Sequence, residues 1–90
     1  MKWTREPHDV QVSIGKSVEV PCESNSRAAN PRVRWLRIDE DGMSHELINF
    51  SGSLRLAPVE LSHGGQYECQ IEEGPHDKIV KRIKVDVLGK

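Results

Sequence analysis

The chain has 90 residues, which is enough for one small domain with a thin core. Its 13 Lys and Arg residues nearly balance its 14 Asp and Glu residues, so the net charge of -1 gives no electrostatic footprint for nucleic acid or an anionic membrane. No apolar run approaches the roughly 20 residues of a membrane span. We expect residues 1–90 to form a single domain, with an added start residue at Met1, a cut end at Gly89-Lys90, and frayed ends over residues 1–2 and 89–90.

Short alternating apolar runs, separated by turn residues, predict an all-β domain without helices. Pro7 marks the first run as an edge strand, since proline is confined to sheet edges and strand entries. The polar stretch from Glu23 to Pro31 is expected to be a loop. The predicted strands are, in chain order, Val10–Ile14, Ser17–Cys22, Arg32–Ile38, Glu46–Phe50, Ser53–Leu56, Gln66–Ile71 and Ile79–Val87.

The acidic segment from Asp39 to Gly42 raises two interpretations. Closely spaced carboxylates suggest a calcium loop, but the EF-hand pattern needs a further ligand before the glycine and a glutamate at its end. Both are missing here. We therefore predict a hairpin turn between two strands.

The chain has two cysteines, Cys22 and Cys69. An even count in a small domain favours a disulfide and an oxidising compartment. The alternative is a pair of buried thiols in a reducing compartment, because free cysteine is among the most buried residue types.

Four residues occupy inward positions of the predicted strands: Cys22, Trp35, Tyr67 and Cys69. Together with the segments Val18-Glu19-Val20-Pro21-Cys22, Val33-Arg34-Trp35, Ser53-Leu54-Arg55-Leu56 and Gly65-Gln66-Tyr67-Glu68-Cys69, they resemble the immunoglobulin superfamily over essentially the whole chain. The spacing of the cysteines is similar to the intermediate or C2 types, since a variable-type domain carries two extra strands. The opening residues 3–7 are similar to modules of the Down syndrome cell adhesion molecule, contactin and L1-like families.

This resemblance implies an immunoglobulin-like Greek-key sandwich of two antiparallel sheets. It implies a Cys22–Cys69 disulfide between the sheets, and a core that contains Trp35, Tyr67, Leu54 and Leu56. The Tyr67 hydroxyl would reach back to the backbone at the preceding corner. One position departs from the family pattern, because His63 stands where an aspartate is usual.

We expect no catalytic site, no metal and no cofactor. The histidines His8, His45, His63 and His76 have no zinc-like spacing to one another or to a cysteine. Ser62 and His63 are a nucleophile and a base by composition only, and a corner position favours a structural role.

The tripeptide Asn49-Phe50-Ser51 is a glycosylation acceptor. If Ile48 and Phe50 face the core, alternation turns Asn49 outward, as a glycan requires. We therefore predict a glycan at Asn49.

In the resembling fold, the last strand lies beside the strand of Cys69, which lies beside the strand of Trp35. Glu68 would then sit between two arginines, and we predict that the outward face binds another protein or a second copy of the chain. The alternative is a solvated face whose charges satisfy one another. The predicted face consists of Arg34, Leu36, Glu68, Gln70, Arg82 and Lys84.

The predicted function is protein recognition or spacing by an extracellular module of a multidomain adhesion molecule or receptor, either membrane-anchored or secreted. Its partners would be another protein and neighbouring domains of the same chain, without nucleic acid or direct membrane contact. Two alternatives are open: a cytosolic structural module similar to those of titin-like muscle proteins, and a heparan-sulfate-binding module. The basic cluster for the second alternative is Lys78, Lys81, Arg82 and Lys84.

Overall fold

The computed structural model describes residues 1–26, 32–47 and 52–89. The prediction of an all-β domain is confirmed, with a single turn of 3₁₀ helix at Leu61–His63. The strands are β1 Trp3–Arg5, β2 Val10–Ser13, β3 Val18–Val20, β4 Glu23–Ser24, β5 Arg32–Ile38, β6 Ser44–Leu47, β7 Leu54–Leu56, β8 Gly65–Glu72 and β9 Lys78–Leu88.

One layer is a five-stranded sheet in the order β2-β9-β8-β5-β6. The strand β2 lies at its edge, as Pro7 predicts, but it pairs with β9 in parallel. The other pairs of this sheet are antiparallel. The sheet is therefore mixed, where we expected an antiparallel one. The predicted turn at Asp39–Gly42 is confirmed as the β5–β6 hairpin, in which the Asp39 N–H donates to Met43 O at 2.8 Å.

The second layer consists of two short antiparallel ladders, β1 with β4 and β3 with β7. Pro21 lies between β3 and β4, and it has no N–H to donate to a ladder. The predicted strand Ser17–Cys22 accordingly ends at Val20. The expected loop beginning at Glu23 is wrong for its first residues, since Glu23–Ser24 pairs with β1.

The core lies between the two layers. Trp35, Leu54, Leu56 and Tyr67 are all buried in it, and Trp35 Nε1 donates a hydrogen bond to Gly52 O at 2.7 Å. The predicted disulfide is confirmed: Cys22 and Cys69 are bonded and buried, and the bond joins the two layers.

A hydrogen-bonded corner precedes β8. The Tyr67 hydroxyl donates to His63 O at 2.6 Å, as predicted, and it accepts from Arg37 Nη1 at 3.0 Å. Arg37 Nη2 also donates to Gly64 O at 2.7 Å. Burial raises the pKa of Tyr67, although the nearby Arg37 acts in the opposite direction. His63 itself accepts a hydrogen bond from the Glu60 N–H, which closes the turn.

The first residues contact the rest of the domain. The Lys2 N–H donates to Asn25 Oδ1 at 2.7 Å, and the Met1 side chain packs against the core. The Met1 amino group also lies 3.8 Å from Asp77 Oδ2. At the other end, β9 continues to Leu88 and Gly89 follows it.

Candidate partner-binding face

Side chains alternate along β5, β8 and β9, so one set enters the core and the other lies on the outer surface of the five-stranded sheet. The predicted binding residues belong to the outer set. We call this outer surface the charged face; it comprises Arg34, Leu36, Glu46, Glu68, Gln70, Glu72, Val80, Arg82 and Lys84.

The register of the sheet brings the predicted residues together in rows. Leu36 lies opposite Glu68, and Glu68 lies opposite Arg82. Arg34 lies opposite Gln70 in the next row. Lys84 lies one row further along β9, where its Nζ is 3.7 Å from Asp86 Oδ1.

Glu68 contacts one arginine, not two as we expected. Arg82 Nε donates to Glu68 Oε1 at 2.9 Å, and Gln70 Nε2 donates to Glu68 Oε2 at 2.6 Å. Arg34 reaches Gln70 Oε1 instead, at 3.0 Å. The two arginines are thus connected through Gln70 because Arg34 and Glu68 occupy different rows of the sheet.

Arg34 is the centre of a second group of contacts. Its Nη2 donates to Glu72 Oε1 at 3.0 Å, and its Nη1 lies 3.4 Å from Glu46 Oε1. Two carboxylates therefore offset its charge. Its buried Nε makes no hydrogen bond among the described residues.

The charged face has an inner and an outer level. The Glu68 side chain is only 11% exposed, whereas that of its partner Arg82 is 62% exposed. Lys84 and Val80 are also exposed, while Arg34, Leu36 and Gln70 are half-buried. The inner level fixes the geometry of the face, and the outer level is the part that a partner would meet.

Glu68 is held in its ionised form. Burial alone would raise its pKa, but the hydrogen bonds from Arg82 and Gln70, with the charges of Arg82 and Lys78, outweigh burial and leave the pKa lowered. The carboxylate is therefore a fixed negative charge beneath the exposed Arg82.

We expect Glu68→Gln to lower the free energy of unfolding by about 1 kcal/mol at neutral pH, because it removes a charge-assisted bond from Arg82. A lowered folded-state pKa stabilises the fold fully above the ordinary value of 4.5 and less as the pH falls below it. The difference between wild type and variant should therefore shrink on acidification. Urea unfolding at several pH values measures it, with Glu40→Gln in the exposed hairpin as the charge-matched control. A difference independent of pH would contradict this assignment.

Three residues of the charged face were not predicted from the sequence: Glu46, Glu72 and Val80. Glu72 and Val80 continue the alternation of Glu68-Gln70 and Arg82-Lys84, so the period of the strands could have found them. Glu46 required the register of β6 against β5, which the sequence does not specify.

The predicted basic cluster lies on β9, and three of its four cations contact carboxylates. Lys81 Nζ lies 3.6 Å from Glu6 Oε1, Arg82 contacts Glu68 and Lys84 contacts Asp86. The local positive charge is largely offset.

The other positions considered in the sequence were the possible metal ligands, the histidines and the glycosylation acceptor. Across residues 1–26, 32–47 and 52–89, no group of His, Cys, Asp and Glu is arranged to hold a metal ion. His45 pairs with Asp39 at 2.6 Å on the exposed hairpin.

In the same described ranges, no helix has the length and apolar character needed to cross a membrane. Asn49 lies outside the described residues.

Curated proteins with similar sequences match nearly the whole chain. Contactin-4 of Rattus norvegicus is 30% identical over 97% of the chain, and inactive tyrosine-protein kinase 7 of Mus musculus is 33% identical over 98%. The tyrosine-protein kinase receptor TYRO3 of Gallus gallus is 27% identical over 99%. The chain spans only 8%, 8% and 11% of the length of these relatives.

Solved structures share the fold. The N-terminal four Ig domains of Dscam1 isoform 9.44 superpose with a TM-score of 0.85 at 13% identity, covering 99% of this chain and 24% of that one. The DIP-gamma IG1+IG2 structure gives 0.71 at 25% identity, covering 91% and 44%. The RIG-5 IG1 homodimer gives 0.70 at 16% identity, covering 97% and 96%.

The family model described as "Immunoglobulin domain" matches residues 2–72, well over half of the chain. The strand order, the Cys22–Cys69 bond and the buried Trp35 agree with that match. The chain therefore belongs to the immunoglobulin domain family.

Proposed function

We propose that this domain is an extracellular recognition module of a multidomain adhesion molecule or receptor, and that the charged face binds another protein or a second copy of the chain. The observation that carries the proposal is the two-level arrangement of that face. A hydrogen-bonded inner level holds the buried Glu68 and the half-buried Arg34 and Gln70 in place beneath the exposed Val80, Arg82 and Lys84. Such fixed polar groups favour recognition because few side chains must be ordered on binding.

The chemistry of the outer level suits a protein partner. Val80 offers an apolar contact, and the exposed head groups of Arg82 and Lys84 offer hydrogen-bond donors to carboxylate or carbonyl oxygens of a partner. Arginine is enriched at protein interfaces because its planar fork can hold a carboxylate at two points. The RIG-5 neighbour, whose single domain forms a homodimer, supports a second copy as one form of partner.

The extracellular location has two supports. A disulfide persists in oxidising compartments and is rare in the cytosol. The TYRO3 relative is by name a receptor, and the chain spans only about a tenth of each relative, as one module of a longer protein would. The disulfide disfavours the cytosolic structural module, and the paired cations of β9 disfavour heparan sulfate.

Reversing one exposed charge tests the proposed face. We expect Lys84→Glu, alone or with Val80→Asp, to weaken binding at least tenfold, since it places a carboxylate where the partner meets a cation; a tenfold loss corresponds to about 1.4 kcal/mol. The measurement is aggregation of beads coated with the full-length polypeptide, alone and mixed with cells of its source tissue.

Arg55→Glu is the matched control, because it makes the same charge change on the outer surface of the opposite layer, where Arg55 pairs with Glu19. It should leave aggregation and cell binding unchanged. If Lys84→Glu and the double variant with Val80→Asp both bound as well as the wild type, the charged face would be rejected as the interface. Equal losses in Lys84→Glu and Arg55→Glu would reject it too, since the effect would then be one of net charge.

A further inference from the structure

The charges on the outer surface of the five-stranded sheet change sign from strand to strand. Across four neighbouring strands, β6 presents a carboxylate, β5 cations, β8 carboxylates and β9 cations. In that order the residues are Glu46; Arg32 and Arg34; Glu68 and Glu72; and Lys78, Arg82 and Lys84. At the end of β9 one carboxylate, Asp86, departs from the pattern and lies beside Lys84. The order of sign from β6 to β9 is therefore minus, plus, minus, plus.

Within one copy, neighbouring strands offset one another's charge. Arg82 lies 2.9 Å from Glu68, and Arg34 lies 3.0 Å from Glu72 and 3.4 Å from Glu46. Long-range attraction by this surface is therefore small, and the positions of the charges matter only once a partner is in contact. The Glu46 and Arg82 side chains are 50% and 62% exposed, so both head groups remain open to a partner.

This order of sign is complementary to itself under one kind of symmetry. When two copies join through the same face, the two-fold axis lies in the plane between them. If the axis runs along the strands between β5 and β8, β6 of one copy covers β9 of the other, and β5 covers β8. Each strand then meets a strand of opposite sign. If the axis runs across the strands, each strand covers its own copy, and like charges oppose one another.

We infer that the partner of the charged face is a second copy of this chain, docked about a two-fold axis that runs along the strands between β5 and β8. The inference rests on the proposed function, which makes this face the interface, and it adds which partner binds and in which orientation. One row of the sheet consists of Glu46, Leu36, Glu68 and Arg82. The axis places Glu46 of each copy over Arg82 of the other, so the same contact forms twice.

The centre of this arrangement is apolar and its margins are polar. Leu36 is half-buried and lies next to the axis, so its two copies would be offset by only about one strand spacing, ~4.8 Å. In the adjoining row, Arg34 faces Gln70 of the second copy. Glu68 keeps its hydrogen bond from Arg82 beneath the contact, so the dimer buries no unpaired carboxylate there. An apolar centre with a polar rim is the usual anatomy of a protein interface.

Complementary charge reversals on two copies test the inference. Glu46→Lys changes β6 and Lys84→Glu changes β9, both at exposed positions. Lys84 lies one row from Arg82, within reach of Glu46 of the second copy. Beads coated with either full-length variant should aggregate with themselves about tenfold more slowly than wild-type beads, because like charges then meet. A mixture of the two variants should recover aggregation, because the new cation on β6 meets the new carboxylate on β9.

Glu19→Lys and Arg55→Glu are the matched controls, since this exposed pair makes the same charge changes on the opposite layer. Both controls should aggregate like the wild type, alone and mixed. Near-ultraviolet circular dichroism of each variant checks that the fold is kept.

Cross-linking measures the orientation. Cys22 and Cys69 are bonded to each other and do not react with maleimide. Above the wild-type background, a short bismaleimide should join a Glu46→Cys copy to a Lys84→Cys copy more readily than it joins either variant to itself. Linking mainly of Lys84→Cys to its own copy would place β9 against β9 and would overturn the proposed axis.

The outcomes separate this inference from the proposed function. If Lys84→Glu lost binding to cells of the source tissue while the mixture of variants failed to recover aggregation, the face would bind a different protein. The second copy would then be rejected, and the proposed function would stand. If neither reversal changed aggregation or cell binding, both the inference and the proposed function would be rejected.

Discussion

Replacing Trp35 with alanine should lower the free energy of unfolding by about 3–5 kcal/mol. The indole is fully buried between the two layers, so its removal leaves a large cavity at the centre of a thin core. It also leaves Gly52 O without the hydrogen bond from Trp35 Nε1. A domain of 90 residues has few other contacts to offset such a loss, so the variant should be largely unfolded at 37 °C. Urea unfolding followed by circular dichroism measures the change.

Trp3 provides the matched control. It lies on the three-residue strand β1, is half-buried and packs against the edge of the core. Trp3→Ala should cost about 1 kcal/mol, as is usual for partly exposed positions. Iodide quenching gives an independent readout: Trp35, the remaining indole of Trp3→Ala, should resist quenching, whereas the wild type, which also carries the partly exposed Trp3, should lose part of its fluorescence. Ready quenching of Trp35 in folded Trp3→Ala would mean that β5 does not present Trp35 to the core.

The strands that alternate clearly could be predicted from the sequence. In β5, β8 and β9 the period of two places Trp35, Tyr67 and Ile83 inside, and a slip of one residue would turn every side chain to the wrong face. The turns between them carry Gly and Asp, which have local preferences of their own. Local rules therefore specify most of the five-stranded sheet.

The second layer was harder to predict because its pairing is non-local. Glu23-Ser24 is polar and short, and nothing near it in the sequence indicates that it pairs with β1, which lies about 20 residues earlier. Pro21 interrupts a run whose apolar alternation continues through Cys22. The hydrophobic pattern predicts which of these side chains point into the core, but the ladder ends before Pro21 because proline has no N–H to donate.

The sequence was enough to predict which residues form most of the charged face, but not which contacts they make. Alternation is enough to place Arg34, Glu68 and Arg82 on one surface. Which carboxylate Arg34 contacts depends on the register between strands, which puts Gln70 opposite it and leaves Glu72 and Glu46 within reach of its long side chain. Burial of Glu68 likewise depends on the neighbours that cover it. A charge reversal at Glu68 would therefore disturb the fold as well as the surface, and the exposed Lys84 is the cleaner position for testing binding.

Replacing both Cys22 and Cys69 with alanine should lower the free energy of unfolding by about 2–5 kcal/mol. The bond joins residues 47 positions apart, so its loss frees a long loop in the unfolded chain. Both cysteines are buried beside the core, so a small packing loss adds to this effect. Urea unfolding of the double variant and of the reduced wild type separates the two contributions, since the reduced protein keeps both sulfur atoms in place.

The redox state of the Cys22–Cys69 pair also tests whether the domain works outside the cell. If the domain works outside the cell, protein isolated from its source without reductant should carry the Cys22–Cys69 bond in every folded molecule, because such compartments keep disulfides oxidised. Intact mass before and after alkylation in denaturant without reductant counts the free thiols, because both cysteines are buried in the folded domain. Two alkylated thiols in protein isolated folded from its source would contradict an extracellular location and would favour the cytosolic structural module. If reduction lowered the free energy of unfolding of the wild type by no more than about 1 kcal/mol, the structural role of the bond would be contradicted even though the bond is present.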